Sequence, residues 1–202
     1  MTGLPSEIAI ASRNPGKIRE IRQICADWPV RWVVAGEDPR DWPDVEESGE
    51  TYLDNALLKA REVSRALGMP CIADDSGIEV DALGGAPGPR SARFAGDDAT
   101  DEENLQLLID SIREEEDRSA RYVCVAAAAW PGGREIHAEA SCEGTLVTHR
   151  KGSGGFGYDP VFVPLEGDGR TMAELGPEEK DAISHRGRAF RALRASLEVL
   201  KS

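Results

Sequence analysis

The chain has 202 residues, 30% charged and 40% hydrophobic, and 37 acidic against 24 basic side chains give a formal net charge of −13. That balance excludes a protein that grips DNA, RNA or an anionic membrane surface by neutralising phosphates, while the composition lies in the range of folded chains. It leaves room for a small anionic ligand, because a few cations in one cleft can hold a phosphate on an acidic protein. At this length the default is one domain over residues 1–202, with space for two lobes sharing a core. The four cysteines (Cys25, Cys71, Cys124, Cys142) are scattered without metal or redox spacing, and the three that lie in apolar or β-like stretches read as buried, inert thiols. Residues 1–7 lack the basic start and apolar core of a signal peptide, and no apolar run approaches the roughly 20 residues that span a bilayer. Both observations point to the cytoplasm.

In chain order, residues 7–12 alternate like a short strand and run into Arg13-Asn14-Pro15-Gly16-Lys17. Ile18, Ile21, Ile24 and Cys25 then recur at helical spacing, with Asn14 as N-cap and Pro15 at the first helical position. Residues 30–35 read as a strand. Residues 51–67 read as a helix with Leu53, Ala56, Leu57, Ala60 and Val63 on one face, opened by a Thr51–Asp54 capping box and stopped by Gly68 and Pro70. A short strand at 71–73 ends in Asp74-Asp75-Ser76-Gly77, and alternation resumes over 78–83. After the loop 84–89, Thr100 and Glu103 form a second capping box before Leu105, Leu108, Ile109 and Ile112. Residues 121–130 and 135–147 read as a hairpin about Pro131-Gly132-Gly133. A glycine-rich loop (152–159) precedes a short strand at 161–163, and Phe190, Leu193, Leu197 and Leu200 mark a last helix. This predicts one α/β domain with a mixed sheet.

Several segments carry chemistry. Ser12-Arg13-Asn14-Pro15-Gly16-Lys17 is a strand-to-helix turn that presents backbone N–H groups and a positive dipole end to an anion. Lys17 sits where a cation is disfavoured unless something negative binds there; an ordinary turn with an exposed lysine is the competing reading. In Asp74-Asp75-Ser76-Gly77, neighbouring strand residues point to opposite faces, so one aspartate enters a given cleft, where it binds Mg²⁺ or orients water; alternatively both cap a turn. Glu46-Glu47 is an acidic pair that is ordinarily solvated and gains meaning if a metal at Asp75 needs another oxygen. With three histidines and dispersed cysteines, any metal site is oxygen-rich, favouring Mg²⁺ or Mn²⁺ over zinc. In residues 152–159, Phe156 and Tyr158 offer faces for stacking on a base, or fall into the core around a β-turn. Lys180 with Ser184-His185-Arg186-Gly187-Arg188 is the densest cationic cluster, either a site or a solvated helix face. Asn55 and Lys59 share a helical face four residues apart and mean little alone.

Together ASRNPGK, EESGETYLDNALLKA, ADDSGIEVDALGGAPG, SARFAG, GGFGYDPVF and EEKDAISHRGRA resemble, in order over about residues 7–197, the Ham1-like, inosine triphosphatase-type nucleoside triphosphate pyrophosphatases. The chain departs from that pattern at Pro89-Arg90, Phe94 and Asp54, none of them an assigned catalytic position. The resemblance implies a two-lobed α/β domain on a long twisted mixed sheet with flanking helices and a nucleotide cleft between the lobes. It further implies a homodimer that hydrolyses dITP, ITP and XTP or dXTP to monophosphate and pyrophosphate with Mg²⁺. By position, Ser12, Arg13, Asn14, Pro15, Gly16, Lys17 and Lys59 would hold the triphosphate. Asp75 would accept the proton from water and bind the metal, with Ser76 beside the phosphates, and Glu46 rather than Glu47 as the second metal ligand. Phe156, Gly157, Tyr158, Asp159, Lys180, His185 and Arg186 would contact the base. A 6-oxo purine is selected over adenine by donors aimed at O6, which adenine's amino group leaves unpaired. The rival readings are a nucleotide sensor without turnover and a related pyrophosphatase for modified pyrimidine nucleotides.

Overall fold

The structure, a computed structural model, describes residues 4–199, with side chains through Leu197; residues 1–3 and the predicted helical position Leu200 lie outside it. β1 (Glu7–Ile10) leads into α1 (Pro15–Ile24). Asn14 caps α1 as predicted, its Oδ1 accepting the N–H groups of Gly16 and Lys17 at 2.8 and 3.1 Å. β2 (Arg31–Val34) lies parallel to β1, with Ile8 opposite Trp32 and Ile10 opposite Val34.

α2 (Tyr52–Leu67) is capped by Thr51 and closed by Gly68. Only half of the predicted capping box forms. Thr51 Oγ1 accepts the Asp54 N–H at 3.1 Å, but the Asp54 carboxylate accepts the Thr51 hydroxyl at 2.7 Å and no reciprocal backbone bond forms. Aspartate is one methylene shorter than the glutamate of a full box. At Thr100 a glutamate is present and both bonds exist, opening α3 (Asp101–Ser111).

β3 (Cys71–Val80) corrects the sequence reading: residues 71–73 and 78–80 belong to one ten-residue strand, and Asp74-Asp75-Ser76-Gly77 does not turn. Both aspartates are buried and paired with basic side chains, so neither has to fold back on its own backbone. β4 (Ser119–Ala129) and β5 (Glu135–Leu146) flank the predicted Pro-Gly-Gly connection, and β6 (Phe162–Pro164) pairs antiparallel with β5. The six strands run β2-β1-β3-β4-β5-β6, a mixed sheet with flanking helices as expected. α4 (Pro177–Ile183) and α5 (His185–Val199) follow; α4 is absent from the sequence reading because seven residues are too few to show helical periodicity.

The described residues divide into two compact units, one drawn from residues 4–75, 124–140 and 186–199, the other from Ser76–Val123 and Ser141–His185. The first has a core of Ile8, Ile10, Ile21, Val34, Ile72, Phe190 and Leu193. The second is built on Ile78, Leu108, Ile112, Tyr122, Phe162 and Met172. Fully burying an aliphatic or aromatic side chain of this size contributes about 1.5–3 kcal/mol. The periodic positions on α3 and α5 face these cores as predicted. Among the described residues no helix is long and apolar enough to cross a membrane.

Candidate active site

In the first unit β3 sets two carboxylates side by side with different partners. Asp74 takes an ion pair from Lys17 at 3.2 Å and two bonds from the Arg186 guanidinium at 3.1 Å. Arg186 also bonds Glu20, and the Cys124 thiol lies 4.0 Å from Asp74 Oδ2. Burial works against ionisation of Asp74, but Lys17, Arg186 and Lys59 outweigh it and hold its carboxyl below the usual carboxylate range. Lys17 thus has its negative group: a buried aspartate offsets the cost of a cation in the first helical turn.

Asp75 turns to α2. Its Oδ1 receives Lys59 Nζ and its Oδ2 receives Asn55 Nδ2, both at 3.3 Å. Here burial prevails over Lys59 and Lys17 and pushes the carboxyl up. A carboxylate made more basic by its surroundings suits a proton acceptor. Lys59 also donates to Glu47 at 2.7 Å; burial lowers its ammonium, but Asp75, Glu47 and Asp74 together raise it, so it stays charged.

In the second unit the glycine-rich loop closes on Asp159. This buried carboxylate accepts the Phe156 N–H at 2.9 Å, the Lys180 ammonium at 2.5 Å and the Tyr122 hydroxyl at 3.3 Å. Lys180 also lies 5.3 Å from the centre of the Phe156 ring. The His185 ring stacks on Tyr122, centroids 4.5 Å apart and planes 9° from parallel. Tyr122 thereby touches two residues that the sequence assigned to the base, a part the sequence could not reveal, because one aromatic in an apolar strand looks like core.

The placements revise several expectations. Tyr158 is a core residue, its hydroxyl bonded to the Ser91 carbonyl at 2.6 Å, so of the two loop aromatics only Phe156 keeps partial exposure. Lys180, His185 and Arg186 are buried rather than a solvated face. Arg186, expected beside the base, is paired with Asp74 and Glu20. The N–H groups of Gly16 and Lys17 are taken by Asn14, so anion attraction at the α1 start falls to Lys17, the helix dipole and Ser12. Arg13 is exposed and points to Asp44 and the Pro43 carbonyl; with Pro15 it lines a groove of about 800 Å³ at the end of β2 that Lys17 does not line. Ser76 follows Asp75 on β3, in the second unit, and Gly157 lies in the loop with φ 59°. Glu47 is tied to Lys59, while Glu46 is exposed and makes no hydrogen bond or ion pair among the described residues.

Residues 8–196 match the sequence model of the Ham1 family. The chain belongs to the Ham1 family. A dITP/XTP pyrophosphatase of Streptomyces coelicolor is 50% identical over 191 residues, covering 93% of this chain and 95% of that protein. One of Geobacillus kaustophilus is 49% identical, covering 93% and 92%. The solved Ham1 protein of Staphylococcus aureus superposes with a TM-score of 0.82 at 41% identity, covering 95% of this chain and 98% of that one. Among the described residues no group of three or more His, Cys, Asp or Glu is gathered to cage an ion. Two carboxylates, Asp75 and a neighbour in the Glu46–Glu47 pair, fit Mg²⁺, which keeps several waters and completes its shell with substrate phosphates.

Proposed function

We propose that this chain is a nucleoside triphosphate pyrophosphatase that hydrolyses dITP, ITP and XTP to the monophosphate and pyrophosphate. The observation that carries the reading is Asp75, a buried carboxylate of raised basicity with one oxygen on Lys59 and the other on Asn55. The names of relatives about half identical over nearly the whole chain support the same activity. Lys17 and Lys59 bind the triphosphate and, with Ser12, keep its α-phosphorus in reach. Asp75 orients a water and accepts its proton as the water attacks. Mg²⁺, held by Asp75 and Glu46, would neutralise charge on the departing pyrophosphate. Phe156 stacks on the base, and His185, its ring plane set by Tyr122, donates toward O6, which leaves adenine's amino group without an acceptor. A homodimer working in the cytoplasm is part of the proposal.

The test is a substrate panel with Mg²⁺ and pyrophosphate detection. Monophosphate and pyrophosphate should form from dITP and XTP well ahead of dATP and dGTP. Orthophosphate release, equal rates across purines, binding without turnover, or a preference for modified pyrimidines would each overturn the assignment.

A further inference from the structure

Asn55 is part of no phosphate, base or metal assignment, yet it is among the most deeply placed polar side chains in the first unit, with 1% of its surface exposed. Its Oδ1 accepts the Gly49 N–H at 2.8 Å, and its Nδ2 donates to the Gly49 carbonyl at 3.3 Å and to Asp75 Oδ2 at 3.3 Å. The amide thus engages both polar groups of one peptide residue and reaches Asp75 with a further N–H, three of the four bonds that such a group makes readily. The approach is close: a Cβ on Gly49 would lie 2.6 Å from Asp54 Cβ and 2.7 Å from Asn55 Oδ1, so only glycine fits. One turn along α2, Lys59 loads the other Asp75 oxygen and holds Glu47. The links close on themselves, running from Asp75 through Lys59 to Glu47, along the backbone to Gly49, and back through Asn55 to Asp75.

We propose that Asn55 is a positioning residue for the reaction: it fixes the rotation of the Asp75 carboxylate and, through the same amide, anchors the segment carrying Glu46 and Glu47. The inference rests on the reading of Asp75 as the proton acceptor. With one donor on each oxygen the carboxylate cannot swing about its last bond, and each oxygen keeps accepting capacity for a water proton. An amide is required because a carboxylate at position 55 would repel Asp75, and an alkyl group would leave Gly49's N–H and C=O without partners.

The experiment compares wild type, Asn55→Asp and Asn55→Leu in steady-state pyrophosphate release from dITP, with calorimetric binding of dIMP as a readout independent of turnover. Asn55→Asp keeps an acceptor for the Gly49 N–H but loses both donors; Asn55→Leu loses all three bonds. Both should lower kcat about 10- to 100-fold, as loss of a residue that orients a reacting group does. KM and the dIMP affinity should stay within about threefold, the pattern of an interaction that matters in the transition state more than in binding. If Asn55→Leu fails to fold, Asn55→Ser replaces it. A kcat within about twofold of wild type in the folded variants, or a loss confined to KM, would overturn the inference. A wild type that releases no pyrophosphate would overturn the functional reading and this inference with it, whereas an active wild type with unaffected variants overturns Asn55 alone.

Discussion

Two adjacent aspartates show how one residue's environment decides its work. Asp74 and Asp75 share a strand and a chemistry, but alternation sends them to different partners, and the balance of burial against nearby cations moves their carboxyls in opposite directions. Asp74 is spent on structure: it neutralises Lys17 and Arg186, which are otherwise largely buried charges. Asp74→Asn should therefore destabilise the fold at neutral pH by about 3 kcal/mol, because it leaves two cations short of their counter-charge. Its folded carboxyl lies below the unfolded one, so this contribution is complete above about pH 3.9 and is lost only as pH falls through the folded value. Urea unfolding at pH 7 measures it, and a loss under about 1 kcal/mol, the scale of an exposed pair, would contradict the assignment.

The elements place these side chains, and the glycine-rich loop shows how tightly. Gly155 has φ +69°, and a Cβ there would lie 2.0 Å from Asp159 Oδ2. Gly155→Ala should thus push Asp159 off the Phe156 N–H and Lys180 and raise KM for dITP about tenfold or more, a loss of roughly 1.4 kcal/mol of binding, with a smaller change in kcat. Gly157→Ala, whose Cβ meets no protein atom within 4 Å, carries the strain of a positive φ without the clash on Asp159. Steady-state kinetics of the pair decides, and an unchanged KM in Gly155→Ala would remove the loop from base recognition. Much of this level was legible in the sequence. Asn14-Pro15, Thr100 with Glu103, and the periodic leucines announce their elements through local rules that hold wherever those residues occur. The unbroken β3 was not legible, because Asp-Asp-Ser-Gly has turn propensity, and what overrides it is burial beside Lys17, Lys59 and Arg186. Nor was the place of Arg186, whose partner Asp74 lies 112 residues earlier and whose basic neighbours suggested a surface patch. Asn55 and Lys59 were visible as a helical pair, but their meaning depends on Gly49 and Asp75, which only the fold brings to them.

For the molecule as a whole, the net charge of −13 gains a specific content. Lys17 and Arg186 share Asp74, with Glu20 also on Arg186, while Lys59 pairs with Asp75 and Glu47 and Lys180 with Asp159. These pairs are in place in the absence of nucleotide, in small buried clusters rather than along a surface track. Such clusters suit a free nucleotide, whereas a polymer needs a row of exposed cations to release counterions along its length. The central claim is that a water activated at Asp75 attacks the α-phosphorus of a non-standard purine triphosphate. Turnover of dITP with Mg²⁺ in heavy-oxygen water, read by mass spectrometry of both products, tests it most directly. The account predicts one heavy oxygen in dIMP and none in pyrophosphate; label in pyrophosphate, or labelled orthophosphate with dIDP, would contradict it.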